Sequence, residues 1–403
     1  MNDIREILND FDKAIDSMEQ MLKEGTLTNE SELAMHYTMR GGAYFQMAML
    51  DEAISDFDKA IVIFDRLIQQ GKTPPKEAII QAYSFRGMGY QSVGEHEAAL
   101  SDLTMTISIM EDLKNQGHQL DEYFLSNIYI FRGGCLNRMV TQPDNAISDY
   151  SKALKIKENL KSSGYEIDES DIATILMGIA QSYDQKKQFE ESNKAYTKCI
   201  DIWEAMLKYS DSFTEINSLA IAYMNRSANY TELKQNDLAL ADINRCIELT
   251  EKMIQEGLED DLYYLVSPYF NRAQCHKHDN NLHLAVNDYI SALRIHKSMF
   301  SENPDFQEMY YDTLSSYLHL LEHLDENDRL SEAIEEFLFP LQNEEKTVEA
   351  SALEQEMINK YENNDARGNR VLKTKISDTV ENEWKEVPSL DFLVKNLTKT
   401  TSE

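Results

Sequence analysis

Met39-Arg40-Gly41, followed ten residues later by Asp51-Glu-Ala-Ile-Ser-Asp56-Phe57-Asp58-Lys-Ala60-Ile61, decides the fold because it recurs. The marker returns as Phe85-Arg86-Gly87, Phe131-Arg132-Gly133, Asn225-Arg226-Ser227 and Asn271-Arg272-Ala273. Its arginines step by 46, 46, 94 and 46 residues. Since 94 is two periods of 47, a further copy belongs near 178, where Gly178-Ile179-Ala180 stands. The second segment returns at 144–154 and 237–247. An orphan version, Asn9 to Ile15, precedes the first marker, and a decayed one, Ser331 to Phe337, follows the last.

Both segments keep helical spacing. Tyr37, Arg40, Gly41 and Tyr44 fall three or four residues apart, as do Ala53, Ile54, Phe57, Ala60 and Ile61. Each unit therefore reads as two antiparallel amphipathic helices. Gly25, Gly71, Gly117, Gly164 and Gly257 recur at the end of the second helix, the position of a left-handed C-terminal cap.

The column Tyr37, Gly41, Tyr44, Ala53, Phe57, Ala60 resembles the tetratricopeptide repeat. Later copies keep it, as in Tyr83, Gly87, Tyr90, Ala99 and in Tyr269, Ala273, Ala285, Tyr289, Ala292. The resemblance implies an all-α, right-handed superhelical solenoid of antiparallel helix pairs. Two departures are evident: the period is 46–47 residues instead of the usual 34, and the proline that normally ends the repeat is absent. The longer period predicts longer helices. The expected domain organisation is a repeat array over 1–340, with a half repeat, six full copies and one degenerate copy. A capping helix over 341–363 and a flexible tail over 364–403 are expected to follow.

A stripe of marker arginines could line an anion-binding groove, but a second column competes for them. Asp56, Asp102, Asp149, Asp242 and Asp288 occur only in copies that carry the arginine; in the fourth copy Ile179 and Asn193 replace both residues. Joint loss is what an ion pair between the two helices predicts, because removing one partner strands a buried charge. The expected pairs are Arg40–Asp56, Arg86–Asp102, Arg132–Asp149, Arg226–Asp242 and Arg272–Asp288. Asp10 stands against the pairing, having no arginine in its own half repeat.

The chain carries 39 Lys or Arg and 71 Asp or Glu, a net charge of −32. Such a surface repels phosphate backbones, so neither nucleic acid nor an anionic membrane is an expected partner. The N-terminus is charged where a signal peptide needs an apolar run, and no stretch suits a membrane span. Cys135, Cys199, Cys246 and Cys275 form no C-x-x-C pair. A cytoplasmic location is expected, with no cofactor and no metal.

No nucleophile–base constellation is present, so no enzyme is expected. His319-Leu-Leu-Glu322-His323 matches the H-x-x-E-H zinc-hydrolase pattern, a remote alternative, but helical spacing turns the three away from the apolar face of Tyr317, Leu320, Leu321 and Leu324. Cys275-His276-Lys277-His278 lacks the spacing of a structural zinc site. Cys199 and Cys246 occupy the small, buried Ala60 column.

Function then rests on surface. The resemblance implies that first helices line a concave face that binds a protein or extended peptide. By column its contacts would be Thr38, Phe45, Gln46, Gln81, Ser84, Gln91, Asn127, Asn137 and Arg138, then Gln181, Asp184, Gln185, Met224, Thr231, Glu232, Phe270, Gln274, Lys277 and His278. The expectation is a non-catalytic scaffold or adaptor with a basic or neutral partner. The alternative is a peptide-sensing regulator resembling bacterial quorum-sensing receptors. In the tail, Trp384 to Leu393 forms an apolar island that reads as a linear motif or as a plain extension.

Overall fold

In the second helix of the first full repeat, Ala53, Phe57, Ala60, Ile61, Phe64 and Leu67 are all buried, and this one apolar stripe makes the segment helical. Asp51 and Glu52 in its first turn and Arg66 in its last suit the helix dipole. The chain reverses at Gly71, where φ is +74° and the amide donates to the Ile68 carbonyl, 2.9 Å away. The next amide, of Lys72, returns to the Leu67 carbonyl, completing the cap.

The computed structural model describes residues 2–209, 212–258, 262–299 and 307–338. Among these residues the secondary structure is helical, without strands. The chain divides into two compact units, Met1–Ala205 and Met206–Glu403. The expected cap over 341–363 and the tail over 364–403 lie outside the described residues.

In the first unit, α1 (Asn2–Lys23) is the half repeat. Four helix pairs follow: α2 (Glu30–Gln46) with α3 (Leu50–Gln69), and α4 (Lys76–Ser92) with α5 (His96–Asn115). The others are α6 (Glu122–Met139) with α7 (Pro143–Ser162), and α8 (Glu169–Gln185) with α9 (Phe189–Met206). Within the unit α3, α5 and α7 pack on α4, α6 and α8, and α2, α4, α6 and α8 neighbour one another in a row. That row is the first-helix face of the unit.

Glycine lets the paired helices cross closely. A Cβ on Gly41 would meet the Phe57 ring at 2.8 Å, and one on Gly133 would meet the Tyr150 ring at 3.0 Å. Gly178 closes on the same ring from the next repeat, leaving 2.4 Å. Between α7 and α8, the buried Lys157 donates to Asp171 at 2.6 Å, with its ammonium 4.0 Å from the centre of the Tyr123 ring.

The second unit contains α10 (Phe213–Glu232) paired with α11 (Asn236–Gln255). A 3₁₀ turn, Leu262–Leu265, leads into α12 (Val266–His278), which pairs with α13 (Leu282–Met299). Then come α14 (Gln307–His323) and α15 (Asn327–Ala333), which continues as a π turn, Ile334–Leu338. Tyr289, Tyr310, Tyr311, Leu314, Leu318 and Phe337 form the core at its C-terminal end.

Candidate functional site

Each marker arginine lies on a first helix, facing the second helix of its own repeat. Nε and Nη2 of Arg40 donate to the two oxygens of Asp56 at 2.6 and 2.8 Å. The same two-pronged geometry joins Arg86 to Asp102, Arg132 to Asp149, Arg226 to Asp242 and Arg272 to Asp288, all at 2.6–2.8 Å. These aspartates are buried. In the fourth copy, Ile179 and Asn193 are buried as well.

A third arm, which the sequence reading missed, ties Arg40, Arg86, Arg132 and Arg272 to the preceding repeat. Nη1 of Arg40 donates to Asp12 of α1 at 2.7 Å, and Nη1 of Arg86 to Asp58 at 2.7 Å. The residue 28 positions earlier serves again as Thr104 for Arg132 (3.4 Å) and Asn244 for Arg272 (2.9 Å). Asp12, and not Asp10, is therefore the acid the half repeat contributes; Asp10 is exposed beside Lys13. The only trace in sequence was a column of hydrogen-bond acceptors of changing identity.

Tyrosines three residues before the marker add a parallel tie. The hydroxyls of Tyr37, Tyr83, Tyr129 and Tyr269 donate to Glu19, Asp65, Glu111 and Glu251, each 18 residues earlier. Burial pushes the Tyr83 hydroxyl up to about 12, with Asp65 acting in the same direction. The guanidinium of Arg86 lies between Tyr83 and Tyr90, 5.6 Å from each ring centre. Hydrogen bonding to Asp56 holds the Arg40 pKa above its ordinary value, so the cation persists. Guanidiniums engaged on three sides inside the fold do not present a ligand-binding stripe.

The face expected to contact a ligand divides in two. Thr38, Ser84 and Asn137, expected to point outward, are buried. Thr38 and Ser84 bond to carbonyls of their own helices, Ala34 and Gln81. Asn137 donates to the Gly178 carbonyl at 3.0 Å and accepts from Ser182 at 2.6 Å. Gln91 donates to the Phe131 carbonyl and Gln185 to that of Asn137, so these amides join adjacent repeats. Asp184 accepts from Tyr196, Thr231 bonds to Ser227, and Phe270 packs edge-on against Tyr289. The reason for the discrepancy is stacking: a position outward on one helix is covered by the next repeat. Asn127, Gln181, Met224 and Gln274 are half-buried, whereas Arg138, Glu232, Lys277 and His278 are exposed.

At the N-terminal end of the first unit, the face opens into a cavity of about 310 Å³. Ile7 and Phe11 of α1, Thr38, Met39, Gly42, Ala43, Phe45 and Gln46 of α2, and Gln81 and Phe85 of α4 line it. Four expected contacts, Thr38, Phe45, Gln46 and Gln81, thus meet in one groove. No charged side chain lines it. Met39 is 54% exposed and Ile7 48%, both unusually open for such side chains. A Cβ on Gly42 would have no heavy atom within 4 Å, so the α2 backbone is open to a ligand. The sequence signal for the groove was the half repeat: α1 contributes apolar residues opposite α2.

His319 and His323 are exposed on α14, and Nδ1 of His319 lies 3.4 Å from Ser315 Oγ. Among the described residues, no three metal-ligating side chains converge. Cys199 and Cys246 are buried, and burial pushes the Cys246 thiol up to about 12. His276 is half-buried, 3.8 Å from Asp288, with its pKa lowered by burial. Among the described residues, no helix is long and apolar enough to cross a membrane.

The tetratricopeptide-repeat family model matches residues 173–202 and 220–253. The apo form of RapI shares the fold at a TM-score of 0.53 and 13% identity, over 89% of this chain and 98% of that chain. BtubC from P. vanneervenii aligns at 0.47 and 19% identity, over 63% and 94% of the two chains. The quorum sensor NprR from B. thuringiensis aligns at 0.43 and 17%, over 83% and 97%. No curated protein matches the chain in sequence. The family model falls on helix pairs that the structure shows, so residues 173–202 and 220–253 are tetratricopeptide repeats within an all-helical repeat fold.

Proposed function

We propose that the protein is a non-catalytic scaffold that binds a peptide or an exposed protein segment, and that the α1–α2–α4 groove is its main contact. The observation that carries this reading is the contrast along one face. Polar positions farther along the first unit are engaged between repeats, while the groove is open, apolar and uncharged. Gln46 and Gln81 are both exposed at its walls, and their amides offer a donor and an acceptor to a peptide backbone. An apolar pocket with a few polar groups is the usual composition of a binding site. The net charge of −32 favours a basic or neutral partner.

Peptide selection from a random display library on the full-length protein tests this. Selected peptides should carry aromatic or aliphatic anchors and lose binding to Gly42→Trp, which fills the groove from an open position. Selected peptides that bind Gly42→Trp as tightly as wild type would refute the groove as the contact.

A further inference from the structure

We infer that the groove recognises the segment Trp384–Leu393 of a second copy of this chain. The inference rests on the reading of the groove as a segment-binding site. Ile7, Phe11, Met39, Phe45 and Phe85 give it apolar walls, and its volume suits one large aromatic side chain with an aliphatic neighbour. Within ten residues the segment offers Trp384, Val387, Leu390, Phe392 and Leu393. Pro388 fixes its own φ, which reduces the entropy lost when such a segment is held.

Charge is compatible with the same pairing. Arg367, Arg370, Lys373 and Lys375 precede the segment, with no Asp or Glu between 366 and 377. Residues 364–403 hold seven basic and seven acidic side chains, so the whole excess of −32 lies in residues 1–363. The run at 367–375 is thus drawn to the acidic repeat surface, Asp378, Glu381 and Glu383 space it from Trp384, and the apolar residues beyond them enter an uncharged groove. Trp384 lies 46 residues beyond Leu338, a contour of up to roughly 150 Å at about 3.3 Å per residue, enough to reach another molecule. Two copies that exchange segments fill both grooves and close as a reciprocal dimer.

Sedimentation velocity on full-length protein over a range of concentrations tests the inference. Wild type should form a reversible dimer. Because a reciprocal dimer carries each change twice, Trp384→Ala should weaken it about a thousandfold, the loss of two aromatic anchors worth about thirtyfold each, and Gly42→Trp at least about a hundredfold. The Trp384→Ala change lies outside the described residues, and far-UV circular dichroism checks the fold of Gly42→Trp. Mixing these two variants should restore part of the association, because Gly42→Trp supplies an intact segment and Trp384→Ala an intact groove, so one of the two pairings forms. A wild type that stays monomeric, or self-association unchanged by Gly42→Trp, overturns the inference. If wild type is monomeric while library peptides still bind in a Gly42→Trp-sensitive way, this inference alone fails. Loss of both results removes the groove reading as well.

Discussion

Replacing Arg86 by Met keeps most of the apolar stem and removes the charge, which isolates what the guanidinium contributes. Two of its arms bond Asp102, whose side chain is 5% exposed. The third reaches Asp58, which is 47% exposed. The outer contact is a surface ion pair, worth at most about 1 kcal/mol. The inner one differs, because Arg86→Met leaves the Asp102 carboxylate buried without its partner, at a cost of about 3–5 kcal/mol. The expected loss is therefore about 4 kcal/mol, nearly all of it from stranding Asp102. Removing both charges with Arg86→Met/Asp102→Leu should return stability to within about 1 kcal/mol of wild type. Hydrogen exchange read on the α4 and α5 amides is the suitable assay, since a repeat array need not unfold in one step. A loss below about 1 kcal/mol in Arg86→Met would refute the fork as a structural device. So would a double variant as unstable as the sum of its parts, because a stranded partner charge entails strong coupling.

Three further outcomes are expected. Burial pushes the His296 imidazole down to about 4 against an ordinary 6.5, so the native state resists a proton that the unfolded chain takes up. Its stabilisation is full above pH 6.5 and is lost as pH falls toward 4, by up to about 3 kcal/mol; His296→Leu should flatten that part of the acid-melting profile. Gly178→Ala forces a methyl against the Tyr150 ring and should destabilise the first unit by about 1–3 kcal/mol, whereas Gly42→Ala, in open space, should raise helix stability by about 0.5–1 kcal/mol; thermal melts distinguish the two. Val140→Gly should stabilise by about 1 kcal/mol in the same assay, because Val140 holds a φ of +55° that a β-branched residue adopts only under strain.

Val140 also marks where sequence legibility stops. The turns after α3, α5, α7 and α11 were readable because glycine holds them, as at Gly71. The turn inside each repeat has the same left-handed conformation; Gly94, Asn280 and Asp325 favour it, yet Ala48, Val140, Lys187 and Lys234 hold it too. Packing of the two helices overrides the local preference there. The third arm of the arginines was hidden for a similar reason: Asp12, Asp58, Thr104 and Asn244 share acceptor chemistry but no fixed identity.

The sequence alone determined the period, the helix pairs and the column pairing of arginine with aspartate. These depend on residues within one repeat, whose register is set by helical spacing and one short turn. Tertiary structure alone decided which outward positions remain open. Whether Gln91, Asn137 and Gln185 meet a ligand or the next repeat depends on stacking between segments some 40 residues apart, which no helical wheel contains. The groove follows from the same cause: α1 begins the array as a half repeat, and its packing against α2 places Ile7 and Phe11 opposite Phe45 and Phe85.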